Sequence, residues 1–239
     1  MSTVNAPSLM KNAAKFPLES ITPFTLLDYP DQTACILWFA GCNMKCSYCY
    51  NPEIVFSKGK ISYDEALKFL KTRQGLLDGV VLSGGECTIQ KGFVDFVKEI
   101  KQLGFNVKLD TNGTAPWVLK ELLELNFIDY LALDFKSQKA NFFEITKSKL
   151  YHRFEESLDI LIQSKAVFEV RTTFHGNLLS IDNVKSMGSY LLQLGYQGKY
   201  FIQHFRNDTA TIGDLANNYV LPSVSDFEIP GLTVEVRIN

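Results

Sequence analysis

The sequence predicts an α/β fold: a partial (β/α)6 barrel of the TIM type, open on one side, with parallel strands and outer helices. Three observations carry this. Short apolar, partly β-branched runs alternate with amphipathic helical stretches six times, a pattern that parallel strands with helical crossovers produce. Six units are too few to close an eight-fold barrel. The chain has 239 residues, 46% hydrophobic and 13% aromatic, which suffices for one packed core.

Taken in order, residues 1–20 are polar and irregular and read as an N-terminal arm, with 21–239 as one domain. Residues 34–40 (ACILWFA) form the first buried strand. Ser62 and Glu65 make a capping box that opens a helix carrying Ala66, Leu67, Phe69 and Leu70. Residues 79–83 (GVVLS) are the second strand. Phe93, Phe96, Val97 and Ile100 share one face of a helix that Gly104 ends. The third strand spans 105–110 and its helix 118–125, with Pro116 in the first turn. The fourth strand spans 130–134, followed by a polar connection and a helix near 154–164. The fifth strand covers 167–174, its helix 184–194, and the sixth strand 200–205. Beyond Asn207 the alternation stops, and 232–238 reads as a last edge strand.

Composition narrows the function classes. A formal net charge of −2 gives no basic field for nucleic acid or an anionic membrane. No segment approaches the ~18 consecutive apolar residues of a membrane-spanning helix. Residues 1–15 lack the apolar stretch of a secretory signal, so a cytoplasmic protein is expected. Five cysteines, three of them between positions 42 and 49, do not form a secreted disulfide framework. Thiols clustered in this way bind metal or do redox chemistry.

The stretch from Gly41 to Cys49 is the most informative. Cys42, Cys46 and Cys49 are separated by three and then two residues, a spacing that lets one loop wrap a corner of a cubic [4Fe–4S] cluster. Three thiolates take three irons, and the fourth iron stays open to chelation. The alternative is a structural zinc ion, which needs four closed ligands. Cys87 is then the candidate fourth ligand; otherwise it is a small buried residue. Cys35, inside an apolar strand, reads as core.

C-x-x-x-C-x-x-C with an aromatic residue, Tyr48, before the third cysteine resembles the signature of the radical S-adenosylmethionine (SAM) superfamily. The resemblance implies that SAM chelates the open iron and that its cleavage yields a 5′-deoxyadenosyl radical. In barrels the chemistry gathers at the carboxyl ends of the strands. Polar groups recur at those ends here: the cysteine loop, then Ser83–Glu86, Asp110–Gly113 and Asp134–Lys136. Each alone also fits an ordinary turn.

Gly84, Gly85 and Glu86 resemble the family's GGE motif, which binds the SAM amino group; Cys87 stands where many members carry proline. Asp110, Thr111 and Asn112, with Asp134 and Lys136, resemble motifs of the glycyl-radical-activating branch. There the lysine pairs with the SAM carboxylate. The resemblance also implies a monovalent cation (Na+ or K+) near Asp110, Thr111 and Asp134. Arg171, mid-strand, needs an anionic partner, either ligand or an acid such as Glu169. His204 faces the adenosyl group or is a satisfied core histidine.

Residues 23–30, 41–43, 51–54 and 108–113 together look like the activating proteins of anaerobic ribonucleoside-triphosphate reductase, with Tyr50 where many activases carry histidine. The resemblance implies a glycyl-radical enzyme as protein substrate and a flavodoxin or ferredoxin as electron donor. Two other readings stay open. One is a radical SAM enzyme acting on a small molecule, deazapurine-synthase-like, with 208–218 helping to close a pocket. The other is a non-enzymatic zinc or redox-sensing module.

Overall fold

The computed structural model describes residues 16–219 and 222–237. Eight strands form one sheet in chain order: β1 (Leu18–Thr25), β2 (Ala34–Phe39), β3 (Gly79–Gly84), β4 (Asn106–Thr111), β5 (Tyr130–Asp134), β6 (Phe168–Phe174), β7 (Lys199–His204) and β8 (Thr233–Arg237). Strands β2 to β8 run parallel and β1 is antiparallel to β2. β1 and β8 do not pair, so the sheet is an open partial barrel, as the alternation predicts.

Helices α1 (Pro52–Phe56), α2 (Tyr63–Lys71), α3 (Phe93–Gln102), α4 (Pro116–Glu124), α5 (Lys139–Thr146), α6 (Tyr151–Gln163) and α7 (Ile181–Gln193) fill the crossovers. The expected capping box at Ser62 and Glu65 forms. Pro116 occupies the first turn of α4, where its missing N–H costs nothing. Gly104 follows α3 at φ +91°, the left-handed position that ends a helix.

Three elements differ from expectation. Residues 1–15, most of the expected arm, lie outside the described residues, and Leu18 to Ser20 open β1 instead. Pro23 hides this strand from a pattern reading: it has no N–H for a ladder, and it sits where the β1–β2 register shifts between Thr22 and Thr25. The expected polar connection after β5 contains α5, whose start has no side-chain cap and whose Phe143 is half exposed. The last strand forms over Thr233–Arg237, and Ile238 lies outside the described residues.

Side chains alternate across the sheet. Cys35, Leu37, Val80, Leu82, Val107 and Leu109 join the core beneath the helices. Ala34, Ile36 and Val81 face the lumen with Tyr29, from the β1–β2 loop, among them. Among the described residues, no helix is long and apolar enough to cross a membrane.

Candidate active site

The carboxyl ends of β2 to β7 surround a cavity of about 270 Å³. Cys42, Cys46 and Cys49 line it, together with Tyr48, Gly84 and Gly85. Asp110, Thr111, Asn112, Asp134, Lys136 and Arg171 line it as well, whereas Glu86 and His204 do not. Strand ends far apart in sequence thus converge on one space.

The cysteine loop leaves β2 and has no regular structure, so its backbone groups must find partners elsewhere. Lys45 N donates to Thr146 O at 2.8 Å and Ser47 N to Ile145 O at 3.0 Å, both at the end of α5. From the other side, Ile212 N donates to Cys49 O at 3.0 Å and Gly213 N to Ser47 O at 2.9 Å. The 208–218 segment therefore braces the cysteine loop. At Gly85 the loop and β3 nearly touch: a Cβ there would lie 1.9 Å from Gly41 O. Gly84 at φ +120° would place a Cβ 2.4 Å from Phe39 N. Neither position admits a side chain.

The three thiols fit a cluster better than zinc. Cys87 does not line the cavity; it is 1% exposed, and its thiol lies 3.5 Å from Asp110 O and 3.9 Å from Leu82 O. The candidate fourth ligand is thereby removed. Among the described residues, no three His, Cys, Asp or Glu side chains converge on a single ion. Three thiols spread around one cavity suit a polynuclear cluster, in which each sulfur takes its own iron. Burial, with the Glu86 charge adding to it, pushes the Cys42 thiol up to about 12. Burial likewise raises Cys46 to about 11, although the Lys136 ammonium opposes it. Metal uptake must therefore displace protons.

Opposite the cysteines lies a lattice of buried charges. Arg171 Nε and Nη2 each reach Asp134 Oδ1 at 3.0 Å, and Nη1 lies 3.5 Å from Asp110 Oδ2. Lys108, itself 3% exposed, donates to Asp110 at 2.5 Å, and Ser83 Oγ at 3.0 Å. Lys136 donates to Asp134 at 3.0 Å and stands 5.6 Å from the Tyr48 ring centroid, a cation–π contact. Burial would raise the Asp110 carboxyl, but Arg171 and Lys108 outweigh it and hold it at about 2. Asp134 is lowered in the same way by Arg171 and Lys136 against its burial. For Lys136, burial works against the charge, and Asp134 overcomes it to keep the ammonium well above its ordinary range.

Four of the expected groups find their surroundings as follows. Arg171 does not pair with Glu169, whose carboxylate takes both Nη groups of Arg237, at 2.9 and 3.0 Å, and the Tyr130 hydroxyl. Glu86 does not reach the cavity. It is 1% exposed and accepts from Thr88 N and Oγ1, Thr111 Oγ1 at 2.8 Å and Asn112 N at 2.7 Å. Its role is to tie the β3 end to the β4 end, and burial raises its pKa despite those bonds. At the positions expected to hold a monovalent cation, Arg171 bridges Asp110 and Asp134, and Thr111 Oγ1 donates to Glu86.

The fourth concerns β7. His204 falls on the helix-facing side with Tyr200 and Ile202, while Gln203 lines the cavity. Strand period two decides this, because Arg171 pairs with Phe201 and Thr173 with Gln203. Thr173 and Gln203 are cavity residues that sequence reasoning missed; counting in twos from Arg171 finds Thr173. Asp28 and Trp38 also line the cavity. Asp28 arrives from the β1–β2 loop, inside the 23–30 stretch that carries the family resemblance, which assigns it no site role. Tyr50 sits at the mouth, with Arg206 5.7 Å from its ring.

Comparison with known proteins supplies the family. Residues 36–183 match the model described as the radical SAM superfamily. A provisionally named glycyl-radical enzyme activating enzyme of Methanocaldococcus jannaschii is 26% identical over 224 residues, 85% of this chain and 92% of that protein. The pyruvate formate-lyase-activating enzyme of Clostridium pasteurianum is 30% identical over 148 residues, 59% of this chain and 61% of the relative. Streptococcus suis SuiB bound to S-adenosylmethionine superposes with a TM-score of 0.64 at 14% identity, over 84% of this chain and 51% of that one. The chain thus spans about half the length of SuiB, and that likeness is one of fold.

Proposed function

The chain belongs to the radical SAM superfamily, and on that premise we propose that it activates a glycyl-radical enzyme. Its products are 5′-deoxyadenosine, methionine and a radical stored on a glycine Cα of the partner. One observation carries the reading: three cluster-type thiols and the charge-locked Lys136 line a single cavity in a barrel that is open along one side. When bound, a [4Fe–4S] cluster would supply the electron for reductive cleavage of SAM.

The chain's own residues do the rest. Cys42, Cys46 and Cys49 would hold the cluster and would leave one iron without a protein thiolate, open to SAM. Lys136, kept charged by Asp134, offers that carboxylate an ammonium partner. The side-chain-free backbone at Gly84 and Gly85 allows the amino end to approach closely. Arg171 bridges both aspartates and so fixes Asp134, the partner of Lys136. An open edge suits a peptide loop as substrate, and the names of the relatives point the same way. A flavodoxin or ferredoxin is the expected electron donor, and the net charge of −2 supplies no argument for nucleic acid.

The test is anaerobic reconstitution, reduction with dithionite and assay for 5′-deoxyadenosine from SAM, with Cys46→Ala beside it. Product in the wild type and none in the variant is expected. Electron paramagnetic resonance (EPR) with a glycyl-radical enzyme added should then show a protein-based radical. SAM cleavage that modifies a small molecule and never produces a protein radical would overturn the activase reading.

A further inference from the structure

Asn112 makes a contact that SAM binding does not explain. Its Oδ1 accepts from Thr114 N at 3.0 Å and Thr114 Oγ1 at 2.6 Å. Its Nδ2 donates to Asn43 Oδ1 at 3.0 Å, and Asn43 Nδ2 returns to Thr114 Oγ1 at 2.7 Å. Three side chains close a ring, with Asn112 only 5% and Thr114 0% exposed. The ring fixes the amide's orientation, because a backbone N–H on its oxygen side forbids the flip. One Nδ2 hydrogen remains for Cys42 Sγ, 3.9 Å away. The same sulfur also receives Met44 N at 3.4 Å.

We propose that Asn112 is a redox-positioning residue, its locked amide N–H directed at the Cys42 sulfur to raise the reduction potential of the cluster held there. A donor to a ligating sulfur stabilises the more electron-rich, reduced state more than the oxidised one. Asn43 belongs to the cysteine loop and Asn112 to the end of β4, so the ring also couples the loop's position to the sheet. The inference rests on the reading that Cys42 holds a cluster.

The measurement is an EPR-monitored redox titration of the reconstituted protein without SAM, with iron per chain determined in parallel. Asn112→Ala should keep its iron and shift the midpoint negative. At a fixed potential its reduced-to-oxidised ratio should fall roughly two- to tenfold, the worth of one hydrogen bond. Asn112→Leu, of similar size but with neither N–H donor nor charge, should shift the same way even if the alanine variant assembles poorly. Asn43→Ala, which opens the ring but leaves the donor, should shift it less. Unchanged midpoints in fully loaded Asn112 variants would overturn the proposal alone, as would an equal shift in Asn43→Ala. A wild-type chain that takes up no iron would overturn the cluster reading and this inference with it.

Discussion

On β4, Val107 and Leu109 point into the helical layer while Lys108 and Asp110 point into the lumen, and neither face could serve the other's purpose. The helix-facing side is mostly apolar, from Leu37 on β2 through Leu131 and Leu133 on β5 to Val170 and Ile202. Its energy comes from area removed from water and from close packing. The lumen face carries Lys108, Asp110, Asp134, Glu169, Arg171 and Arg237, all in ion pairs. Lumen charges are costly to bury, and pairing offsets that cost with little net gain. The contrast teaches that one face holds the sheet together, while the other holds charged groups at fixed positions around the cavity. Within the lumen, the Glu169–Arg237 pair closes on itself, whereas Lys136 keeps its far side toward the cysteines.

The sharpest way to break the contrast is Arg171→Met. It leaves two buried carboxylates with fewer partners and should destabilise the fold by about 3–5 kcal/mol in urea denaturation. A pH effect accompanies it. The Asp110 carboxyl is held down at about 2, so its contribution is complete above the ordinary carboxylate range and is lost as pH falls toward 2. In Arg171→Met that loss should move to higher pH, read as an earlier acid transition by circular dichroism. An unshifted transition would mean that Lys108 and Lys136 alone hold both aspartates.

Leu109→Ala probes the opposite face of the same strand. It should cost about 2–5 kcal/mol, the usual range for a buried leucine, and leave iron uptake per chain unchanged below its melting temperature. Loss of iron from a folded Leu109→Ala protein would show that the two faces are coupled. The smallest effect should come from the β7 pair. Gln203→Ala, in the cavity, should raise the KM for SAM or for the partner by roughly two- to tenfold, the worth of a hydrogen bond. His204→Asn, on the helix-facing side, should alter melting temperature and leave both KM values in place. The reverse result would place β7 in the other register.

Much of this was legible because it is local. Cysteine spacing, the capping box at Ser62 and Glu65, Pro116 and Gly104 each act over a few residues, and all are found where the pattern put them. The six strands from β2 to β7 were readable because a buried parallel strand writes itself as a short apolar run. β1 was not, since Pro23 breaks the pattern and its pairing depends on β2. α5 was not, because its phenylalanines do not fall on one face.

The sequence by itself determined that three thiols share one loop and that polar groups end successive strands. Only the tertiary structure decided which of them meet. Arg171 chose Asp110 and Asp134 over Glu169, Glu86 turned inward to tie two strand ends, and Gln203 took the place expected of His204. The reason is register. Which residues stand side by side, and which of two faces each side chain takes, is set by pairing between strands distant in the chain, and no short window of sequence contains that pairing.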